Sequence, residues 1–295
     1  MRIGYGIGNG TFGELVQGVY NKQPFLITMP IPVLTSKAVF IPNETKTIIG
    51  HSSYSKAVLA CNKLISLFNR NVGGTIYLAS NIPRGKGMAS SSADLVAAMK
   101  AVAEGCFLDV NNEILSTIAT EIEPTDGVMY ENVVAYNYKN GSLMESFGNL
   151  PPFDLIGIDI GGYIDTIQFN QQRKTYTRHD LKAFHHAFHL IKTGIQSQNL
   201  SSICQASTIS AKINEKILPK KYFNEMEKLA ASCQGGVVVA HSGTMIGILL
   251  DHDHPNRNDC LLRFKKLVDH TKAVPFYYSH KKLAVRDKNL HFNVR

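Results

Sequence analysis

Short apolar stretches broken by glycine and proline open the chain: RIGYGIG, GELVQGVY, FLITMPIPVLTSKAVFI and, further on, GGTIYLASNIP. β-Branched and aromatic residues between such breaks predict strands and turns. Between them the period changes. Ser53 to Asn69 sets Ala57, Leu64, Ile65 and Phe68 at helical spacing, which predicts one amphipathic helix. After three consecutive serines, ADLVAAMKAVAEGCF repeats apolar residues at i, i+3, i+4 and i+7 with high helix propensity. A buried helix is therefore expected to begin at the serines. NNEILSTIATEI predicts a shorter helix, which Pro124 and Gly127 end.

From about Pro151 the pattern restarts. FDLIGIDIGG reads as a strand, YIDTIQFN as its hairpin partner, and DLKAFHHAFHLIKTGI and LPKKYFNEMEKLAAS as two helices. GGVVVAHSGTMIGILLD reads as two strands joined at His241-Ser242-Gly243-Thr244. Strands and helices alternating this way, with a restart near residue 151, predict an α+β protein in two lobes, residues 1–150 and 151–295. There are no internal repeats and no low-complexity segment.

Composition narrows the class. The 295 residues are 44% hydrophobic and 18% charged, a globular composition with no apolar run approaching a membrane span. The N-terminal MRIGYGIGNG lacks the form of a signal peptide, so a soluble cytoplasmic protein is expected. The five cysteines, at 61, 106, 204, 233 and 260, are widely spaced with no CxxC pair. That argues against structural zinc and a disulfide framework. The formal charge of +8 is concentrated between Arg263 and Arg295 and raises a second class, a non-catalytic basic nucleic-acid-binding protein. No aromatic-interleaved or helix-turn-helix signature accompanies the charge.

The strongest chemical signal is NIPRGKGMASSSAD, residues 81–94. Gly85 and Gly87 permit close backbone approach, and Ser90, Ser91 and Ser92 place hydroxyls at a helix start. Together with the free N–H groups and dipole of that helix, they form a site for phosphate. One hydroxyl would suit Mg²⁺, which prefers hard oxygen donors and bridges phosphates. A cap alone needs one serine, not three. The loop is not a Walker A motif, because Gly87 follows Lys86 where Ser or Thr is required. Gly8, Gly10 and Gly13 match GxGxxG, yet the sequel ELVQGVYNKQP is a poor helix, and no acidic residue lies between Glu14 and Glu44 to hold a ribose. A dinucleotide site is therefore rejected. His185 and His189 lack a third ligand, DHDHPN reads as a polar loop, and no GxSxG occurs.

Pro83-Arg84-Gly85-Lys86-Gly87-Met88-Ala89-Ser90-Ser91-Ser92-Ala93 resembles the P-x-x-x-G-L-G-S-S-A loop of the GHMP small-molecule kinases. GNGTFGELVQG and VVVAHSGTMIGILL are similar to that family's other motifs, in the same order. TFGELVQG, EPTD, AHSGT and IDIGGYIDT look most like the L-threonine kinases of cobalamin side-chain synthesis. The chain departs from that subgroup at Phe12, where a cysteine near the acceptor pocket is usual, and from the glycine-rich third motif at His241 and Ser242.

The resemblance implies the GHMP kinase fold, with an N-terminal ribosomal-S5-domain-2-like lobe and a C-terminal ferredoxin-like lobe. It implies ATP and Mg²⁺ as cofactors and phosphorylation of the L-threonine hydroxyl to O-phospho-L-threonine, with L-serine, homoserine or another small hydroxylated metabolite as alternative acceptors. Implied nucleotide contacts are Pro83, Gly85, Lys86, Gly87, Met88, Ala89, Ser90, Ser91 and Ser92, with Ser91 facing the metal. Glu121 or Glu123, preferably Glu123, would add a carboxylate to it. Asp126 is the implied base, since a carboxylate within reach of the acceptor hydroxyl takes its proton as the oxygen attacks. Thr11, Glu14, Gln17, Ser242, Gly243 and Thr244 are the implied acceptor contacts, with Asp159, Asp165 and Thr166 as weaker candidates. The expected partner is a small amino acid, with no nucleic acid and no membrane, and the protein is expected as a monomer or homodimer.

Overall fold

The computed structural model describes residues 1–164, 169 and 174–280. Asp165, Thr166, most of YIDTIQFN and the basic tail after His280 lie outside the described residues. One sheet organises the rest. Its strands are β1 (Gly4–Tyr20), β2 (Gln23–Asn43), β3 (Ile48–Gly50), β4 (Gly73–Ser80), β5 (Val133–Tyr136), β6 (Leu143–Gly148), β7 (Phe153–Asp159), β8 (Gly236–Val239), β9 (Met245–Leu250) and β10 (Val274–His280). The order is β10-β7-β9-β8-β1-β2-β4-β3, with β5 paired to β2 and β6 to β5. The described helices are α1 (Ser55–Leu67), α2 (Ser90–Cys106), α3 (Asn112–Ile122), α4 (Arg178–Gln196), α5 (Leu200–Glu215), α6 (Phe223–Ser232) and α7 (Arg257–Asp269). None is long and apolar enough to cross a membrane.

The N-terminal glycines serve packing. RIGYGIG and GELVQGVY form one strand rather than two, paired along its length with β2. Its glycine side lies flush on α2: a Cβ at Gly4, Gly6 or Gly8 would stand 2.0, 2.0 and 2.2 Å from the carbonyls of Ala101, Ala97 and Ala93. Those alanines recur every four residues, so a small-residue stripe on the helix meets a bare strand. Of the GxGxxG glycines only Gly8 shares this contact, Gly10 facing Leu34 and Ile82 and Gly13 facing Val239 and Ala240, and the close fit leaves α2 almost wholly buried.

Gly13, at φ +65°, lies where the β1–β2 register shifts. Just beyond, Glu14 pairs with Val239 of β8, which joins the N-terminal strands to the C-terminal ones. Phe12 is fully buried and sits over Gly157 and Gly247, where a Cβ would meet its ring at 2.6 and 2.8 Å. It is a core residue packed on β7 and β9 and lines neither cavity of the described residues.

Helix α5, strands β5 and β6, helix α7 and strand β10 were not expected from the sequence pattern. The cysteines also differ from expectation: Cys233 and Cys260 form a disulfide with Cα atoms 5.9 Å apart, while Cys61, Cys106 and Cys204 are free and buried. Residues distant in sequence met because α6 and α7 pack on the same sheet. His185 joins an aromatic cluster, 4.5 Å from the ring of Tyr20, and His252 bonds Asp154 at 3.1 Å.

Candidate active site

A cleft of about 380 Å³ opens at the N-terminus of α2. Its walls are residues 53–57, the loop from Pro83 to Ser92, Glu123 to Asp126, Glu14, Tyr138 and Ser242. Gly85 and Gly87 take φ of +69° and +75°, conformations open to glycine, and Ala89 takes +60° as the residue before the helix. This turn delivers the chain into α2 with the N–H groups of its first turn at the cleft, an arrangement suited to an anion.

The three serines have separate partners. Ser91 donates to Glu123, which also receives the Lys56 ammonium. Ser92 is buried; its Oγ donates to Asp126 Oδ2 at 3.1 Å and accepts from Thr125 Oγ1 at 2.9 Å and Asp126 N at 3.1 Å. Ser92 therefore holds the EPTD turn, although the sequence reading gave it to the nucleotide. Ser90 makes no side-chain bond among the described residues and lines the cleft. Glu121, the other candidate acid, pairs with Lys63 at the surface at 2.7 Å. Buried Glu123 is thus the carboxylate beside Ser91.

Asp126 lines the cleft, and burial pushes its carboxyl up to about 7, with the nearby Glu14 charge adding to the effect. Glu14 accepts from the His241 backbone N–H at 2.8 Å and faces His241 Nδ1 at 3.0 Å. Burial lowers the His241 pKa despite that carboxylate, so the ring is neutral and donates from Nδ1. Its Nε2 then accepts from Ser210 Oγ at 2.8 Å, and Ser210 accepts the Gln17 N–H at 3.0 Å. Four residues from three distant segments form one relay.

Several expected contacts lie elsewhere. The Lys86 ammonium turns from the cleft to Asp159 and Gly162 O, each at 2.8 Å, because a half-buried acid competes for it. Burial pushes the Asp159 carboxyl up, but hydrogen bonds from Lys86 and Thr244 outweigh this and hold it below the usual carboxylate range. Thr244 Oγ1 donates to Asp159 at 2.6 Å, and its backbone N–H to Lys86 O at 3.1 Å. Gly243 packs so closely on Lys86 that a Cβ would stand 2.0 Å from its carbonyl. The AHSGT motif thus clasps the phosphate loop from behind, and of its residues only Ser242 lines the cleft. Thr11 is buried off the cleft; its N–H bonds Met88 O at 3.1 Å and its Oγ1 has no partner among the described residues. Gln17 lines a second, smaller cavity.

The sequence reading missed Lys56, Tyr138, Ser210 and the guanidinium of Arg84 over the ring of Tyr54, 4.8 Å from its centroid. Only the helical register placing Lys56 in the first turn of α1 hinted at any of them.

A glycine turn feeding a buried helix, a serine–glutamate pair and a half-buried aspartate on one rim point to a phosphotransferase site, and the comparisons agree. Residues 54–135 match the model of the GHMP kinases N terminal domain. An L-threonine kinase of Citrobacter freundii is 30% identical over 202 residues, covering 66% of this chain and 69% of that one. The L-threonine kinase of Salmonella typhimurium is 27% identical over 245 residues, covering 81% and 80%. A homoserine kinase structure from Cytophaga hutchinsonii superposes with a TM-score of 0.71 at 15% identity, covering 95% of each chain. The chain belongs to the GHMP kinase family.

Proposed function

We propose that this protein is an ATP- and Mg²⁺-dependent kinase that phosphorylates the side-chain hydroxyl of L-threonine. The observation that carries the reading is Asp126, held by Ser92 on the rim of the phosphate cradle with its pKa raised to about 7. A base poised near neutrality takes a proton efficiently under working conditions. The likeness to two L-threonine kinases selects the acceptor.

In this reading the turn at Gly85 and Gly87 and the N–H groups of α2 bind the ATP phosphates. The donor set beside them fits Mg²⁺, since Ser91 Oγ and the Glu123 carboxylate are adjacent hard oxygens and a phosphate-bound Mg²⁺ uses one or two carboxylates. Bound there, it would neutralise charge on the phosphates. Lys56, already on Glu123, adds a positive charge at that rim. Asp126 takes the proton from the threonine hydroxyl, whose oxygen forms the new bond to the γ-phosphorus while the bond to the ADP oxygen breaks. Glu14 and Ser242 face the acceptor. Residues 1–150 act as the ATP-binding lobe and 151–295 as the second lobe. The enzyme works in the cytoplasm as a monomer or homodimer, on a small amino acid and without nucleic acid.

Incubation with MgATP and a panel of L-threonine, L-serine and L-homoserine, followed by ³¹P NMR, tests the assignment. O-Phospho-L-threonine is expected as the dominant product. Robust turnover of homoserine with none of threonine would overturn the acceptor, and no phosphoester from any of them would overturn the activity.

A further inference from the structure

Beside Glu14, on the side away from the phosphate loop, lies a small cavity of about 10 Å³, room for a single water-sized group. Gln17, Lys174, Asn214 and His241 supply its polar lining, and Tyr176 and Phe184 are among its apolar walls. Four buried side-chain polar atoms lack a partner among the described residues, and two of them, Gln17 Oε1 and Asn214 Nδ2, belong to this lining. Gln17 and Asn214 are 5% and 3% exposed, so neither has ready recourse to bulk water. Buried polar groups left this way are costly unless something arrives to satisfy them. One is an acceptor and the other a donor.

Two side-chain contacts link the lining of the cavity to that of the cleft. His241 lines the cavity and holds Glu14, which lines the cleft. Tyr138 lines the cleft and faces the Gln17 amide. Lys174 is held by the ring of Phe169, 4.1 Å from its centroid, and senses the Glu14 charge. Lys220 is buried nearby, its ammonium bonded only to Leu218 O at 3.4 Å among the described residues; half-buried Glu215 is its nearest counter-charge. Two ammonium groups, a buried amide donor and a buried amide acceptor thus gather about His241 and Glu14, whose charge also reaches Asp126.

Resting on the kinase reading above, we infer that this cavity is the head-group subsite for a zwitterionic α-amino acid. One oxygen of the α-carboxylate enters it, between Lys174 and Asn214 Nδ2. The α-ammonium stays at the cleft edge between Glu14 and Gln17 Oε1. A substrate fixed at both charges presents its side-chain hydroxyl toward Asp126. An alcohol of the same size without the carboxylate leaves Asn214 and Lys174 unpaired, and a site built around such groups rejects the analogue lacking them.

The test is calorimetric binding of L-threonine and of L-threoninol, which carries CH₂OH for the carboxylate, to the full chain with Mg²⁺ and a non-hydrolysable ATP analogue. Wild type is expected to bind threonine about 100-fold more tightly than threoninol, the size of a lost charge-assisted pair with an orphaned partner. Lys174→Met, at a half-buried position, and Asn214→Leu should each cut threonine affinity about 30-fold while leaving threoninol and the ATP analogue little changed. Retained analogue binding also shows that each variant is folded. Equal affinity for threonine and threoninol, no binding of either, or wild-type threonine affinity in both variants would overturn the inference. Because no turnover is involved, the kinase reading fails or stands separately, on the ³¹P product.

Discussion

The two walls of the cleft are built in different ways. On the phosphate wall, Gly85 to Ser92 is one continuous stretch, and its hydroxyls pair with the neighbouring turn at Glu123 and Asp126. What it offers a ligand is mostly backbone N–H and a helix terminus. On the wall proposed to take the acceptor, Glu14 lines the cleft, and His241, Ser210 and Gln17, from the β8–β9 turn, α5 and β1, back it through a chain of buried hydrogen bonds. Behind it lie charged and amide side chains, of which Gln17 and Asn214 each keep one buried polar atom without a hydrogen-bond partner among the described residues. In the proposed reading, the phosphate wall takes a group common to many substrates through local backbone geometry, whereas the acceptor wall has one substrate to recognise and is assembled by tertiary structure.

Asp126 stands where the walls meet, so its removal should have the largest effect. Asp126→Asn keeps the shape and the bonds to Ser92 but removes the proton acceptor, and kcat is expected to fall about 10³-fold. Nucleotide affinity measured by titration should stay near wild type, because Asp126 does not form the cradle. Loss of nucleotide binding in step with kcat would move Asp126 to the phosphate wall.

Smaller effects should separate adjacent serines. Ser92→Ala removes the hydroxyl that fixes Asp126 and leaves Thr125 without its partner, so kcat should drop about tenfold and stability by about 1–2 kcal/mol in urea denaturation. Ser91→Ala should instead raise the magnesium concentration needed for half-maximal rate while sparing stability. Identical behaviour of the two variants would erase the division of labour between them.

The same contrast explains what the sequence disclosed. The phosphate loop was legible because its glycines, serines and helix are contiguous, and α2 because its apolar period is strong. Resemblance gave all three serines to the nucleotide and Ser91 to the metal, but not Ser92 to Asp126, since the partners that distinguish them lie more than thirty residues away. Lys86 looked like a phosphate ligand because sequence does not show Asp159 competing for it. Helix α5 escaped notice because LSSICQASTISAKINE is rich in serine, threonine and isoleucine, all indifferent helix formers; its burial against β8 and β1 supplies what propensity does not. Short β5 and β6 carry too few residues for a period to show. Lys174, Asn214 and Ser210 had no local signal, and their roles exist only once Glu14 and His241 are brought beside them.

The central claim is that a half-buried Asp126 accepts the proton of the threonine hydroxyl, and its titration tests this most directly. Burial and the Glu14 charge raise the carboxyl to about 7, so the anion that accepts a proton predominates above that pH and is lost below it. The decisive measurement is kcat/KM for L-threonine, at saturating MgATP, followed across the pH range from acid to mildly alkaline. The account predicts a plateau above neutrality and a fall approaching tenfold per pH unit below about 7. A profile that stays level well into the acid range would contradict it.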